Sequence, residues 1–101
     1  ILPEQADIVW SVETAEHLPL DCVPAYIETL TKNARLAIVL TASQEALPQH
    51  LTIKSRGWWA EQIENAGPFV LDPLSAKFIR EQSTMQREFL RETGMIFWRT
   101  K

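Results

Sequence analysis

The chain has 101 residues, 46% hydrophobic, 9% aromatic and 23% charged, which supplies one hydrophobic core and excludes both a pair of domains and a disordered tail. Ten basic against thirteen acidic side chains leave a formal charge of −3, so the cationic excess of a sequence-independent nucleic-acid binder is missing. The single Cys22 rules out an intrachain disulfide and a thiolate zinc site, and it points to a reducing, cytoplasmic setting. Apolar runs stay far below the roughly 18 residues that span a bilayer, so no membrane partner is expected. The chain opens on Ile1 and not on methionine, which reads as a piece of something longer.

The first element is Ala6 to Val12, β-branched and aromatic with hydrophobes on both faces, as in a central strand covered on both sides. Glu13 to Asp21 carries acids, a histidine and Pro19, and reads as a solvated, functional loop at the strand's carboxyl end. Asp21 is placed to cap a helix whose Val23, Tyr26, Ile27 and Leu30 recur at helical spacing, with Pro24 in the tolerated first turn. Leu36 to Leu40 is a continuous apolar run of strand length, which completes a strand–helix–strand unit. Gln44 to Lys54 has no period and contains Pro48, so it reads as a second loop, holding His50.

Ser55 is placed to cap a helix ending at Ala66, stopped by Gly67-Pro68. Phe69 to Leu71 gives a short strand, and Asp72-Pro73 opens a helix carrying Leu74, Phe78, Met85 and Phe89 on one side. Gly94 closes that helix before a last strand, Met95 to Trp98. Lys77, Arg80, Arg87 and Arg91 interleave with Glu81, Glu88 and Glu92, which describes an ion-paired surface and no nucleic-acid patch. Trp10 and Trp98, both in strands, are assigned to the core; of Trp58 and Trp59, about 100° apart on a helix, one packs on the sheet while its neighbour covers a loop or meets substrate.

Asp7-Ile8-Val9-Trp10-Ser11-Val12-Glu13, followed by Glu16-His17, resembles the fourth strand and following loop of class I S-adenosylmethionine-dependent methyltransferases, and the later elements keep the family's order over residues 6 to 100. The resemblance implies an α/β fold: the second half of a Rossmann-like methyltransferase sheet, strand order four, five, seven, six in the family's count, with the last strand antiparallel. The family's glycine-rich turn has no counterpart, since the glycines are Gly57, Gly67 and Gly94, and Asn33-Ala34-Arg35 stands where the family has a Pro-Gly-Gly turn. Residues 1–101 therefore read as a single partial domain without the cofactor-binding half. It is inactive alone, and belongs to an enzyme that methylates a small-molecule or sugar-like acceptor.

The same resemblance implies roles. Ser11, Val12 and Glu13 fall on the side of S-adenosylmethionine, Glu16, Trp58 and Trp59 on the side of the acceptor, and His17 and His50 at the reacting groups. The set Glu13, Glu16, His17 and His50 is also similar to the metal ligands of small-RNA 2′-O-methyltransferases, where a magnesium-type ion holds ribose hydroxyls. The reading adopted carries no metal, and this is its alternative. A further alternative is a catalytically dead interaction module. The partner is expected at the edge of the strand at 6–12, where a missing amino-terminal half or a second copy would cover Ile8, Val9, Trp10 and Val12.

Overall fold

Four strands and two helices form a mixed α/β unit with a single sheet among the residues described by the computed structural model, which are 5–11, 14–43, 48–72, 74 and 94–100. In chain order these are β1 (Ala6–Ser11), α1 (Val23–Asn33), β2 (Ala34–Leu40), α2 (Arg56–Ala66), β3 (Phe69–Leu71) and β4 (Met95–Arg99). The sheet order is β1-β2-β4-β3, with β1 parallel to β2 and β4 antiparallel to both β2 and β3. This is the order and direction expected of the four strands. Of the helix expected between Pro73 and Gly94, with its charged residues and Met85, only Leu74 is among the described residues.

Register assigns the two faces of the sheet. Ser11, Leu40 and Met95 line up, as do Val9, Ile38, Phe97 and Leu71, and this face carries both helices. Val23, Ile27 and Leu30 of α1 and Trp59, Ala60 and Ile63 of α2 pack there in one core with Ile38, Leu40, Phe69, Met95 and Phe97. Each large side chain so buried contributes roughly 1.5 to 3 kcal/mol. The apolar stripe read along α1 is the observed one, with Tyr26 half-buried at its edge.

The opposite face carries Ile8, Trp10, Ala37, Val39, Ile96, Trp98 and Val70. Its middle is buried, but its rim is not: Trp10 is 58% exposed and Trp98 45%. The assignment of these two tryptophans to the core is corrected on that ground. For Trp10 the reason is that β1 ends the described sheet, which hydrophobicity alone does not reveal; Trp98 lies on the interior strand β4, and its exposure is that of the open part of this face, shared with Val70 beside it. Likewise β1 is not covered on both sides, because among the described residues β2 is its one neighbour and Ile8 is 44% exposed.

Other boundaries shift for local reasons. Asp21 does not cap α1; it sits inside a 3₁₀ turn, Leu20–Cys22, that runs directly into the helix. Strand β2 begins at Ala34, two residues before the apolar run: Ala34 pairs with Ala6 of β1, and beside it Arg35 ion-pairs with Asp7 at 2.6 Å. Ser55 does cap α2, its Oγ accepting the Trp58 amide at 3.1 Å, and the chain leaves that helix in extended conformation at Gly67.

Candidate functional site

In a parallel βα unit the loops that follow the strands meet at the strands' carboxyl ends, where ligands of α/β proteins collect. Here the loop after β1 and the loop after β2 are tied together by Thr52. Its amide donates to the Glu16 carbonyl at 3.1 Å and its hydroxyl to the Leu18 carbonyl. Thr52 is buried, so these bonds act with little competition from water. The result brings His17 and His50, 33 positions apart in sequence, to 4.8 Å between ring centroids in an edge-to-face arrangement.

Glu16 is the centre of the group. The expectation of a solvated acidic loop fails here, because Glu16 is 0% exposed within a 3₁₀ turn, Ala15–His17. Its Oε1 accepts the Ser43 amide at 3.1 Å, which anchors the carboxylate to the end of β2. Its Oε2 has no hydrogen-bond partner among the described residues and lies 3.8 Å from His17 Nε2.

The other nitrogen of His17 fixes what that approach means. His17 Nδ1 stands 3.2 Å from the Gln49 carbonyl, which can accept and cannot donate, so this bond places the imidazole proton on Nδ1. Nε2 of a neutral ring then presents a lone pair toward Glu16 Oε2. Two acceptors then face each other, the carboxylate buried and the imidazole 44% exposed, an arrangement relieved when a proton or a metal ion enters between them. One donor atom from each of Glu16, His17 and His50 falls within 4.8 Å of the others.

A second polar group borders the first. The Ser11 hydroxyl, buried at the end of β1, is hydrogen-bonded to the Tyr26 hydroxyl of α1. Burial pushes the Tyr26 phenol up to about 12, against the lowering effect of the Ser11 bond and with a smaller raising contribution from the Glu16 charge. Trp59 packs edge-to-face on Tyr26 at 6.3 Å and is fully buried, with no partner for its indole N–H among the described residues. Trp58 is half-buried beside it, at 4.8 Å between rings, under Lys54 Nζ at 5.3 Å.

The expected site residues therefore separate. Glu16, His17 and His50 come together, and Trp58 and Trp59 divide as the helical spacing predicts, one largely buried against the sheet core and one partly exposed. Ser11 is placed at the right end of β1 but its hydroxyl is engaged by Tyr26. Val12 and Glu13 lie outside the described residues. Sequence reasoning missed Thr52, Tyr26 and the Gln49 carbonyl as site-forming groups; the first two are ordinary residue types in their elements, and a backbone carbonyl leaves no mark in a sequence.

Comparison with protein-family models, with curated proteins and with solved structures finds no match to this chain. Among the described residues no helix is long and apolar enough to cross a membrane.

Proposed function

We propose that the chain is the acceptor-side part of a methyltransferase-type α/β domain that binds a small hydroxylated or sugar-like molecule, with His17 as proton acceptor. The observation that supports this reading is the unshared approach of Glu16 Oε2 to His17 Nε2 at the carboxyl ends of parallel strands. His17 Nε2 takes the proton of a bound hydroxyl as that oxygen becomes a nucleophile, and the buried Glu16 carboxylate stabilises the imidazolium so formed. His50, edge-on to His17, and Trp58 stand on the acceptor side.

The chain's own residues do not fit S-adenosylmethionine. Close backbone approach to such a cofactor requires a glycine turn after a strand, and Gly57 and Gly67 lie in and just after α2 while Gly94 precedes β4. Ser11, the described residue on the expected cofactor side, has its hydroxyl turned to Tyr26. No methyl-transfer step is therefore derived from these residues. The test is a titration of the 101-residue chain with a methyl glycoside, followed by NMR of the imidazole and indole signals. Selective movement of His17, His50 and Trp58 is expected, and movement elsewhere or none at millimolar sugar would refute the acceptor site. Calorimetry should find no low-micromolar binding of S-adenosylmethionine.

A second reading is favoured by the convergence of Glu16, His17 and His50. A divalent ion among them satisfies Glu16 Oε2 and His17 Nε2 at once, with the Gln49 carbonyl orienting the ligating ring through Nδ1. Bonds of roughly 2.1 Å require the three donor atoms to draw in by about 1 Å from their present spread. On the first reading magnesium or manganese leaves the melting temperature unchanged. A rise that His50→Ala abolishes would favour the metal and, with it, a ribose-methylating parent.

A further inference from the structure

We infer that, in the 101-residue chain, β1 is an interface strand that pairs antiparallel with β1 of a second copy across a two-fold axis; an amino-terminal half of the kind the proposed function implies would compete for this same edge. Edge strands of monomers are ordinarily blunted by lysine, proline, a bulge or an unpaired charge. Strand β1, Ala-Asp-Ile-Val-Trp-Ser, carries no lysine and no proline. Its one charge, Asp7, is held toward β2 by Arg35, whose Nε donates to Asp7 Oδ1 at 2.7 Å. The irregularity in the β1–β2 pairing matches Ala6 to Ala34 and Ile8 to Ala37, so the extra residue belongs to β2 and β1 stays regular.

Self-complementarity selects the partner and the register. A two-fold axis normal to the sheet keeps like faces together, so residues of equal parity oppose each other. Centred on Val9, the pairing sets Ile8 against Trp10 of the second copy, twice. These are the two exposed apolar side chains of the strand. It also sets Asp7 against Ser11, and so keeps the two aspartates from facing each other. Covering the exposed part of Trp10 removes on the order of 100 Å² of apolar surface per copy. The six-residue strand falls short of a standard interface, so a dissociation constant in the micromolar range is expected.

Sedimentation of the 101-residue chain over a concentration series tests this. A reversible dimer is expected, and Trp10→Lys is expected to raise its dissociation constant at least about tenfold with the circular dichroism spectrum unchanged. Independently, in a Cys22→Ser background, Val9→Cys should cross-link under mild oxidation, since residues opposed across an antiparallel pair sit about 4.5 to 5.5 Å apart at Cα. Ile8→Cys, displaced by two residues from its own copy, should not. A monomer at millimolar concentration, or a dimer that Val9→Cys does not trap, would overturn the inference.

Discussion

The two ends of β2 carry polar groups of opposite character. At its amino end, Arg99 donates through Nη2 to the Ala34 carbonyl at 2.8 Å and through Nε to the Arg35 carbonyl at 3.0 Å, and it stacks over Phe69 at 4.9 Å. Arg35 is matched with Asp7, and Gln5 caps the Lys32 carbonyl at the end of α1. These groups border an open cleft of about 530 Å³ lined by Gln5, Arg35, Leu36, Arg99 and Thr100. The two guanidinium groups are engaged by carbonyls or a carboxylate, so the cleft, although basic, is a structural clamp. At the carboxyl end the balance is reversed: Glu16 Oε2 and His17 Nε2 are acceptors without a shared donor. The lesson is that stoichiometry of donors and acceptors, more than the sign of the charge, separates the matched clamp at the amino end from the unmatched Glu16 carboxylate at the carboxyl end.

The largest effect that tests this contrast is at the clamp. Replacing Arg99 by Met keeps the stacking volume but strands three carbonyls, Thr31, Ala34 and Arg35, and should cost about 2 to 3 kcal/mol in urea unfolding. A cost below about half a kcal/mol would remove the distinction between the two ends.

The pH dependence near the site should be comparable in size. Tyr26 has a folded value raised to about 12 from the ordinary 10, chiefly by burial. Below pH 10 the phenol is neutral in both states and its contribution is fully present. Between pH 10 and 12 the unfolded chain ionises first, so stability falls by about 2 to 3 kcal/mol as pH rises. Phenolate absorbance of the single tyrosine reports the titration directly, and Tyr26→Phe should flatten that segment of the stability profile.

Smaller effects separate fastening from chemistry at the carboxyl end. Thr52→Val removes the bond to the Leu18 carbonyl while keeping shape, and should cost about 1 kcal/mol. It should also weaken the nuclear Overhauser contact between the rings of His17 and His50. An unchanged contact would show that another group holds the two loops together.

The smallest change carries the opposite sign. Glu16→Gln keeps an oxygen for the Ser43 amide and, in one amide orientation, directs a donor at His17 Nε2. Stability is expected to hold or rise by up to about 1 kcal/mol, while sugar-induced movement of the His17 signal is lost. A loss of stability beyond about 1 kcal/mol would mean that the carboxylate is a structural group, satisfied as it stands.

Periodicity and punctuation made the elements legible. The run Leu-Ala-Ile-Val-Leu, the cap at Ser55, the stop at Gly67-Pro68 and the stripe Val23, Ile27, Leu30 are local signals that depend on a few neighbouring residues, and β2, α2 and α1 follow them. The loop after β1 is legible as a place for function from its position at a strand's carboxyl end, while His50 in the loop after β2 enters through the family resemblance. What remained hidden depends on pairing at a distance. Trp10 has the composition of a core residue and becomes a rim residue because β1 ends the described sheet; Glu16 has the composition of a surface residue and becomes fully buried, with the Ser43 amide on its carboxylate and the Thr52 amide on its carbonyl. Side-chain chemistry and helical or strand period are written residue by residue. Whether a carboxylate is left with an unshared lone pair is decided by groups 27 to 36 positions away, and only the folded chain brings them to it.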